Sequence, residues 1–276
     1  MKPAVTVIVP TYNRHSFLEA ALASVVAQST TDFECIVVDD ASSEQVRVPR
    51  DDRFHLLRLR QNVGCSAARL AGLAAASGAA VAFLDDDDVM SPERLALGLR
   101  GLDCAPVSVV WRHGLGDTTQ RPGRQLNGDC RDVILDGYTP HLGQTMVRAD
   151  ELVPFDPTWT ALEDVEWWLR MAHKAHIYTL PTHAYSVRSH SGPRSGNGKR
   201  ARLESSLRLL KEHAQYFRSH PHARAFRHER VAAMLREEGR YGEARHHLRQ
   251  SLSARPDVPN LARLVLACRR DALLRS

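Results

Sequence analysis

The stretch Val81-Ala82-Phe83-Leu84-Asp85-Asp86-Asp87-Asp88 joins an apolar run to four consecutive carboxylates. The apolar half reads as a buried strand. Like charges crowded at its end repel by on the order of 1 kcal/mol per pair. A divalent cation would remove that repulsion, because hard cations take oxygen ligands and carboxylates one residue apart can grip one. The bland alternative is an acidic loop capping the helix announced by Ser91-Pro92-Glu93. Three further polar groups stand at comparable places: Thr11 to Arg14, Asp39-Asp40 and Glu163-Asp164.

These residues need a scaffold to bring them together. Val5 to Val9, Phe33 to Val38, Phe54 to Leu59 and Val81 to Leu84 are short apolar runs, each followed by polar or turn residues. Between them Phe17 to Val26 and Ser66 to Ala76 carry helical periodicity, with Ser16 a candidate cap and Gly78 a terminator. Strand–helix alternation every 25–30 residues or so predicts a mostly parallel sheet covered by helices. Ligands of such sheets sit beyond the carboxyl ends of the strands. The clusters after the first, second and acidic strands should therefore converge on one crevice. Farther on, Val107 to Trp111, Gln144 to Val147, Ile177 to Leu180 and Ala184 to Val187 read as strands, and Glu163 to Ala172 as an amphipathic helix. Residues 112–142 have no period, as in a binding loop or lid, and Ser189 to Lys199 has the composition of a gate.

From Lys199 onward the pattern is helical, and the turn Glu238-Gly239-Arg240 with Pro256 beyond resembles one tetratricopeptide-like hairpin. The expected domains are residues 1–198 and 199–276. The net charge of +5 hides a split: residues 1–185 hold 17 Lys/Arg against 24 Asp/Glu, and residues 186–276 hold 20 against 8. A basic helical tail is a solvated surface, a dimer contact, or a patch for an anionic partner such as a membrane face. Five scattered cysteines with no CxxC pair point to reduced thiols. With no long apolar run or leader pattern, the sequence predicts a cytoplasmic protein.

Val7-Ile-Val-Pro-Thr-Tyr-Asn-Arg14, Val37-Val-Asp-Asp-Ala-Ser42, Asn62-Val-Gly-Cys-Ser-Ala-Ala-Arg69, Phe83-Leu-Asp-Asp-Asp-Asp88 and Leu162-Glu-Asp-Val-Glu-Trp-Trp-Leu-Arg170 resemble, in order, the motifs of family-2 glycosyltransferases. The resemblance covers about residues 4–195 and implies a GT-A fold and an inverting, metal-dependent transfer from a nucleotide-diphosphate sugar, most simply a UDP-sugar. By that resemblance Asp85 and Asp87 form the DxD pair, with Asp87 on Mn2+ or Mg2+, Asp85 nearer the ribose and Asp86 between them. Asp88 would cap the next turn. Pro10, Thr11, Asn13, Arg14, Asp40 and Arg69 would line the donor, with Asp40 on the nucleobase. Asp164 would be the general base, with an acidic helix cap as its bland alternative, and Glu163 would contact the acceptor or fix Asp164, while Trp167 and Trp168 would offer a sugar platform, helical spacing placing at least one of them in the core. His190 would be a third metal or phosphate contact. Ala41 and Leu70 depart from the family's usual Gly and Asn, which bears on local loop geometry. The other histidines show no metal spacing, and His246-His247 are expected to face solvent.

The implied acceptor is a glycan or lipid-linked glycan, or else a peptide or natural product, with no nucleic-acid partner. No GxxxxGK[ST], GxGxxG or GxSxG motif supports a P-loop, dehydrogenase or hydrolase reading. A non-catalytic scaffold acting through the basic tail is the alternative from another class.

Overall fold

β1 (Val5–Thr11) is buried along its whole length, as its β-branched run requires of a strand covered on both faces. In the computed structural model, residues 2–117, 122–135, 139–189 and 198–256 are described. After β1 come α1 (His15–Val26), β2 (Phe33–Asp39), β3 (Phe54–Arg58), α2 (Cys65–Ala75) and β4 (Ala80–Phe83). They are followed by β5 (Val89–Met90), α3 (Arg94–Leu102), β6 (Val107–Gly114), β7 (Asn127–Gly128) and β8 (Thr145–Arg148). α4 (Glu163–Lys174) and β9 (Ile177–Val187) complete the sheet region. Arg14, not Ser16, precedes α1 as its cap residue, and no side chain caps it. Gly78 does not close α2. Its N–H instead meets the Thr6 hydroxyl at 2.9 Å.

The strands order as β3-β2-β1-β4-β8-β6-β9-β5, with β7 beside β9. β3, β2, β1 and β4 are mutually parallel, and β6 runs parallel to β9. β8 is antiparallel to both β4 and β6, so the sheet is mixed rather than purely parallel. The two runs expected at 177–180 and 184–187 are one strand, whose register against β6 shifts at Val110 to Arg112. The chain leaves β1 toward β2 and β3, then returns to β4 on the other side. That reversal opens a crevice at the carboxyl ends of β1 and β4, where the acidic run emerges.

Apolar side chains of β1, α1 and α3 fill one core, including Val7, Val9, Leu18, Leu22 and Leu95. Burial of each such side chain stabilises by about 1.5–3 kcal/mol. Phe83, Phe155 and Trp167 form a separate aromatic stack, with Phe155 lying flat on Trp167 at 5.4 Å.

The chain divides into two compact units, Met1–Arg131 with Pro140–Trp159 and Glu163–Ser195, and Asp132–Thr139 with Thr160–Leu162 and Gly196–Ser276. The second therefore takes in two short pieces that the sequence placed in the first domain. It contains α5 (Lys199–Glu212), α6 (Ala214–Ser219), α7 (Pro221–Glu237) and α8 (Tyr241–Ala254). Leu203, Val231, Leu235, Ala244 and Leu248 form its core. Of the two histidines expected to face solvent, His246 is exposed, whereas His247 is half-buried with its Nδ1 2.8 Å from Nδ1 of His228. The four described cysteines are free. No described helix is long and apolar enough to cross a membrane.

Candidate functional site

The polar ends of β1 and β4 meet directly. Thr11, the last residue of β1, donates its hydroxyl to Asp86 at 2.8 Å. Arg14 follows in the turn, and its Nη1 reaches Asp86 at 3.1 Å and Asp87 at 2.6 Å. Asn13 ties this turn to the end of β2: its Oδ1 accepts from the Ser43 N–H and its own N–H donates to the Ser42 hydroxyl. Pro10 is buried below them. Convergence of residues 70 positions apart follows from the parallel order alone.

Asp40 and Asp39 are both buried at the end of β2. Asp39 pairs with Arg58 at 2.7 Å and accepts from the Ser42 N–H. The two oxygens of Asp40 accept the N–H groups of Val63 and Gly64, at 2.8 Å each, so this carboxylate shapes the loop before α2. Burial raises its pKa, against those two hydrogen bonds.

Arg69 is the link across the crevice. It lies on α2, only 3% exposed, and its guanidinium meets Asp85 at 2.8 Å and Glu163 at 3.1 Å. One cation thus holds the first aspartate of the acidic run and the first residue of α4 together. Asp164 is the next residue, and its Oδ1 accepts the Val165 N–H at 2.8 Å. Burial and the charge of Asp164 raise the pKa of Glu163, while Arg69 opposes them. Burial works against ionisation of Asp85 too, but Arg69 and His141 outweigh it and hold its pKa below the ordinary value.

The remaining acidic residue is not a turn cap. Asp88 is buried and accepts from the Tyr185 hydroxyl at 2.7 Å and the Arg188 N–H at 2.9 Å. Burial, then the charge of Asp85, pushes its pKa up to about 6. His141 stands beside both, with Nε2 3.4 Å from Asp85 and Nδ1 4.0 Å from Asp88. Ligating atoms of Asp85, Asp88 and His141 all lie within 4.8 Å of one another. Two carboxylates and an imidazole form a hard-to-borderline donor set that suits Mn2+ or Mg2+, and Asp85 and His141 are partly open to solution. The residues fit a divalent cation.

The sequence marks Asp85 as a candidate ligand and does not single out Asp88 or His141 for that role. His141 sits in a stretch with no period, so nothing in its surroundings announced it. Asp87, expected on the metal, pairs with Arg14 at 2.6 Å. His190 and the proposed gate around residues 190–197 lie outside the described residues. Trp167 requires a correction: it is 0% exposed and its Nε1 donates to the Val153 carbonyl. With its ring stacked on Phe155, it offers no face to a sugar. Trp168 is equally buried.

Residues 6–148 match the protein family described as Glycosyl transferase family 2. Among curated proteins, the putative teichuronic acid biosynthesis glycosyltransferase TuaG of Bacillus subtilis is 39% identical over 100 residues, covering 34% of this chain and 40% of TuaG. The chain thus spans about two fifths of that relative's length. Among solved structures, S. aureus TarS 1-349 is similar with a TM-score of 0.64 at 20% identity, covering 91% of this chain and 81% of that one. The mannosyltransferase PcManGT of Pyrobaculum calidifontis, solved with GDP-Man and Mn2+, gives 0.59 at 19% identity, covering 97% and 80%.

Proposed function

The chain belongs to glycosyl transferase family 2, and on that premise we propose that it moves a sugar from a nucleotide-diphosphate donor, a UDP-sugar, to an acceptor hydroxyl with inversion. The observation that carries the reading is the Arg69 bridge, which ties Asp85 to the residue beside Asp164. A leaving diphosphate and an incoming nucleophile need opposite ends of one small crevice, and this bridge joins two such ends.

Asp85, Asp88 and His141 would hold Mn2+ or Mg2+, which when bound supplies Lewis acidity to the diphosphate. Pro10, Thr11, Asn13 and Arg14 form the wall on the donor side, and the Asp40 carboxylate sets the shape of the loop at Val63-Gly64. In this reading the ligand role passes from Asp87 to Asp88, while Arg14 pairs with Asp86 and Asp87 on the donor side. Asp164 accepts the acceptor's proton as its oxygen attacks the anomeric carbon, a contribution of roughly 10²–10⁴-fold. It stands in the first turn of α4. Glu163, fixed by Arg69, orients that turn.

The acceptor we infer is a cell-surface glycan or its lipid-linked precursor, in line with what TuaG is named for. The basic helices then suit an anionic leaflet. Co-sedimentation with phosphatidylglycerol vesicles at low salt, lost at high salt, tests that placement, and binding to neutral vesicles alone would oppose it.

UDP release measured over a panel of UDP-sugars with Mn2+ tests the reaction itself. One donor should turn over in wild type, and Asp164→Asn should lose at least 100-fold in kcat while binding that donor within about twofold. Undiminished turnover in Asp164→Asn removes it as base. No turnover with any donor and acceptor returns the scaffold reading.

A further inference from the structure

Arg94 opens α3 with its whole side chain out of solvent, at 0% exposure. No carboxylate among the described residues pairs with it. Its Nε and Nη2 both donate to one acceptor, the Gly143 carbonyl, at 3.3 Å each, and Nη1 is buried without a partner. A buried cation with no counter-charge is unfavourable. Gly98 leaves room for both this guanidinium and Met146: a Cβ there would stand 2.5 Å from the Met146 Cε and 2.8 Å from Nη1, and glycine inside a helix costs about 1 kcal/mol relative to alanine. Packing alone would favour Leu or Met at such a position.

The Gly143 carbonyl explains the arrangement. It belongs to the single turn Leu142–Gln144 that follows His141. Gln144 closes that turn on His141, accepting its N–H at 3.0 Å, and anchors it to β6 by donating to the Val110 carbonyl at 2.7 Å. Gly143 donates its N–H to Nδ1 of His141 at 3.4 Å, a contact long enough to yield when the ring binds a cation. From the other side Gly143 lies against the Tyr185 ring, where a Cβ would meet Cζ at 1.9 Å. The same Tyr185 donates to Asp88. The turn carrying the imidazole is therefore gripped between a buried guanidinium and a buried phenol, and the phenol also fixes one of the carboxylates.

We infer that Arg94 is a positioning residue, which clamps the Gly143 peptide so that His141 faces the cation shared by Asp85 and Asp88. The inference rests on the proposed cation site. Residues that orient ligands from behind in this way typically alter metal affinity by 10- to 100-fold.

The test is a Mn2+ titration of the full chain by isothermal calorimetry, without donor or acceptor, in wild type, Arg94→Met, Arg94→Lys, His141→Ala and the double variants. Thermal unfolding of each metal-free variant checks that it is folded. Arg94→Met should weaken Mn2+ binding about tenfold, with Arg94→Lys, which keeps one donor, in between. In the His141→Ala background, adding Arg94→Met should change nothing further, because both act through one ligand. If Arg94→Met does not fold, the same cycle is run with Arg94→Lys. Folded Arg94 variants with unchanged or tighter Mn2+ binding overturn the clamp, as do losses that add to that of His141→Ala. A wild type that takes up no Mn2+ overturns the cation site and the clamp together.

Discussion

Replacing Arg69 by Met should reveal how strongly the crevice depends on a single cation. The guanidinium is buried and lies 2.8 Å from Asp85 and 3.1 Å from Glu163. At an effective dielectric near 20, each contact carries roughly 5 kcal/mol of gross attraction. Most of that only offsets desolvation, and breaking a buried pair from one side costs about 3–5 kcal/mol net. In this variant Asp85 and Glu163 would lose their shared cation, leaving His141 beside Asp85, next to Asp86 and Asp88. We expect a loss of about 3–5 kcal/mol in urea unfolding at pH 7, or on the order of 10 °C in Tm. The sign with pH is fixed by Asp85, whose folded pKa is held below its ordinary value. Its contribution is present above the unfolded pKa and lost as pH falls through the folded one, so the gap between wild type and variant should narrow below about pH 4. Glu163→Gln added to Arg69→Met should recover at least about 1 kcal/mol, since it removes one of the stranded charges. A loss under about 1 kcal/mol, or no recovery in the double variant, would refute the reasoning.

Two further perturbations probe other parts of the chain. Ala41 has φ 63, in the left-handed region that alanine occupies at a cost, so Ala41→Gly should raise stability by about 0.5–1 kcal/mol, read from the urea midpoint. A destabilised Ala41→Gly would show that the turn holds no such strain. In the helical unit, burial lowers the pKa of His228 to about 4, below the roughly 6.5 of an unfolded histidine. The unfolded chain therefore binds more protons between those values, and the unit should lose on the order of 1 kcal/mol as pH falls from 7 to 5. His228→Phe should flatten that slope in pH-dependent urea unfolding, and an unchanged slope would assign it elsewhere.

What could be read in the sequence follows from which signals are local. The runs at Val5, Phe33 and Ala80 are short, apolar and bounded by turn residues, so their strands and the meeting of Thr11 with Asp86 follow from alternation alone. The Asp85 to Asp88 run stands out because such charge at a strand end has no packing use, whereas Glu163-Asp164 at a helix start is also a common stabilising pair. The partners of Asp88 have no local mark: Tyr185 lies 97 positions away on a strand that the sequence breaks into two pieces, and Arg188 lies 100 away just past its end. His141 comes into place through an irregular turn held by Arg94 and Gln144, contacts with no periodic signature. Trp167 shows the opposite case: an aromatic beside the Glu163-Asp164 pair invites a ligand role, yet helical spacing turns it inward onto Phe155. Antiparallel β8, between β4 and β6, likewise had no local mark that set it apart from the parallel strands.

The central claim is that residues from the loop after β4 and from the turn before β8 form one cation site on the donor side of Asp164. Anomalous scattering at the manganese edge, from crystals grown with Mn2+ and UDP, tests it most directly. The account predicts one strong peak bonded to Asp85, Asp88 and His141, with the diphosphate beside it. A peak on Asp87 without Asp88 and His141, or bound UDP with no manganese nearby, would contradict it.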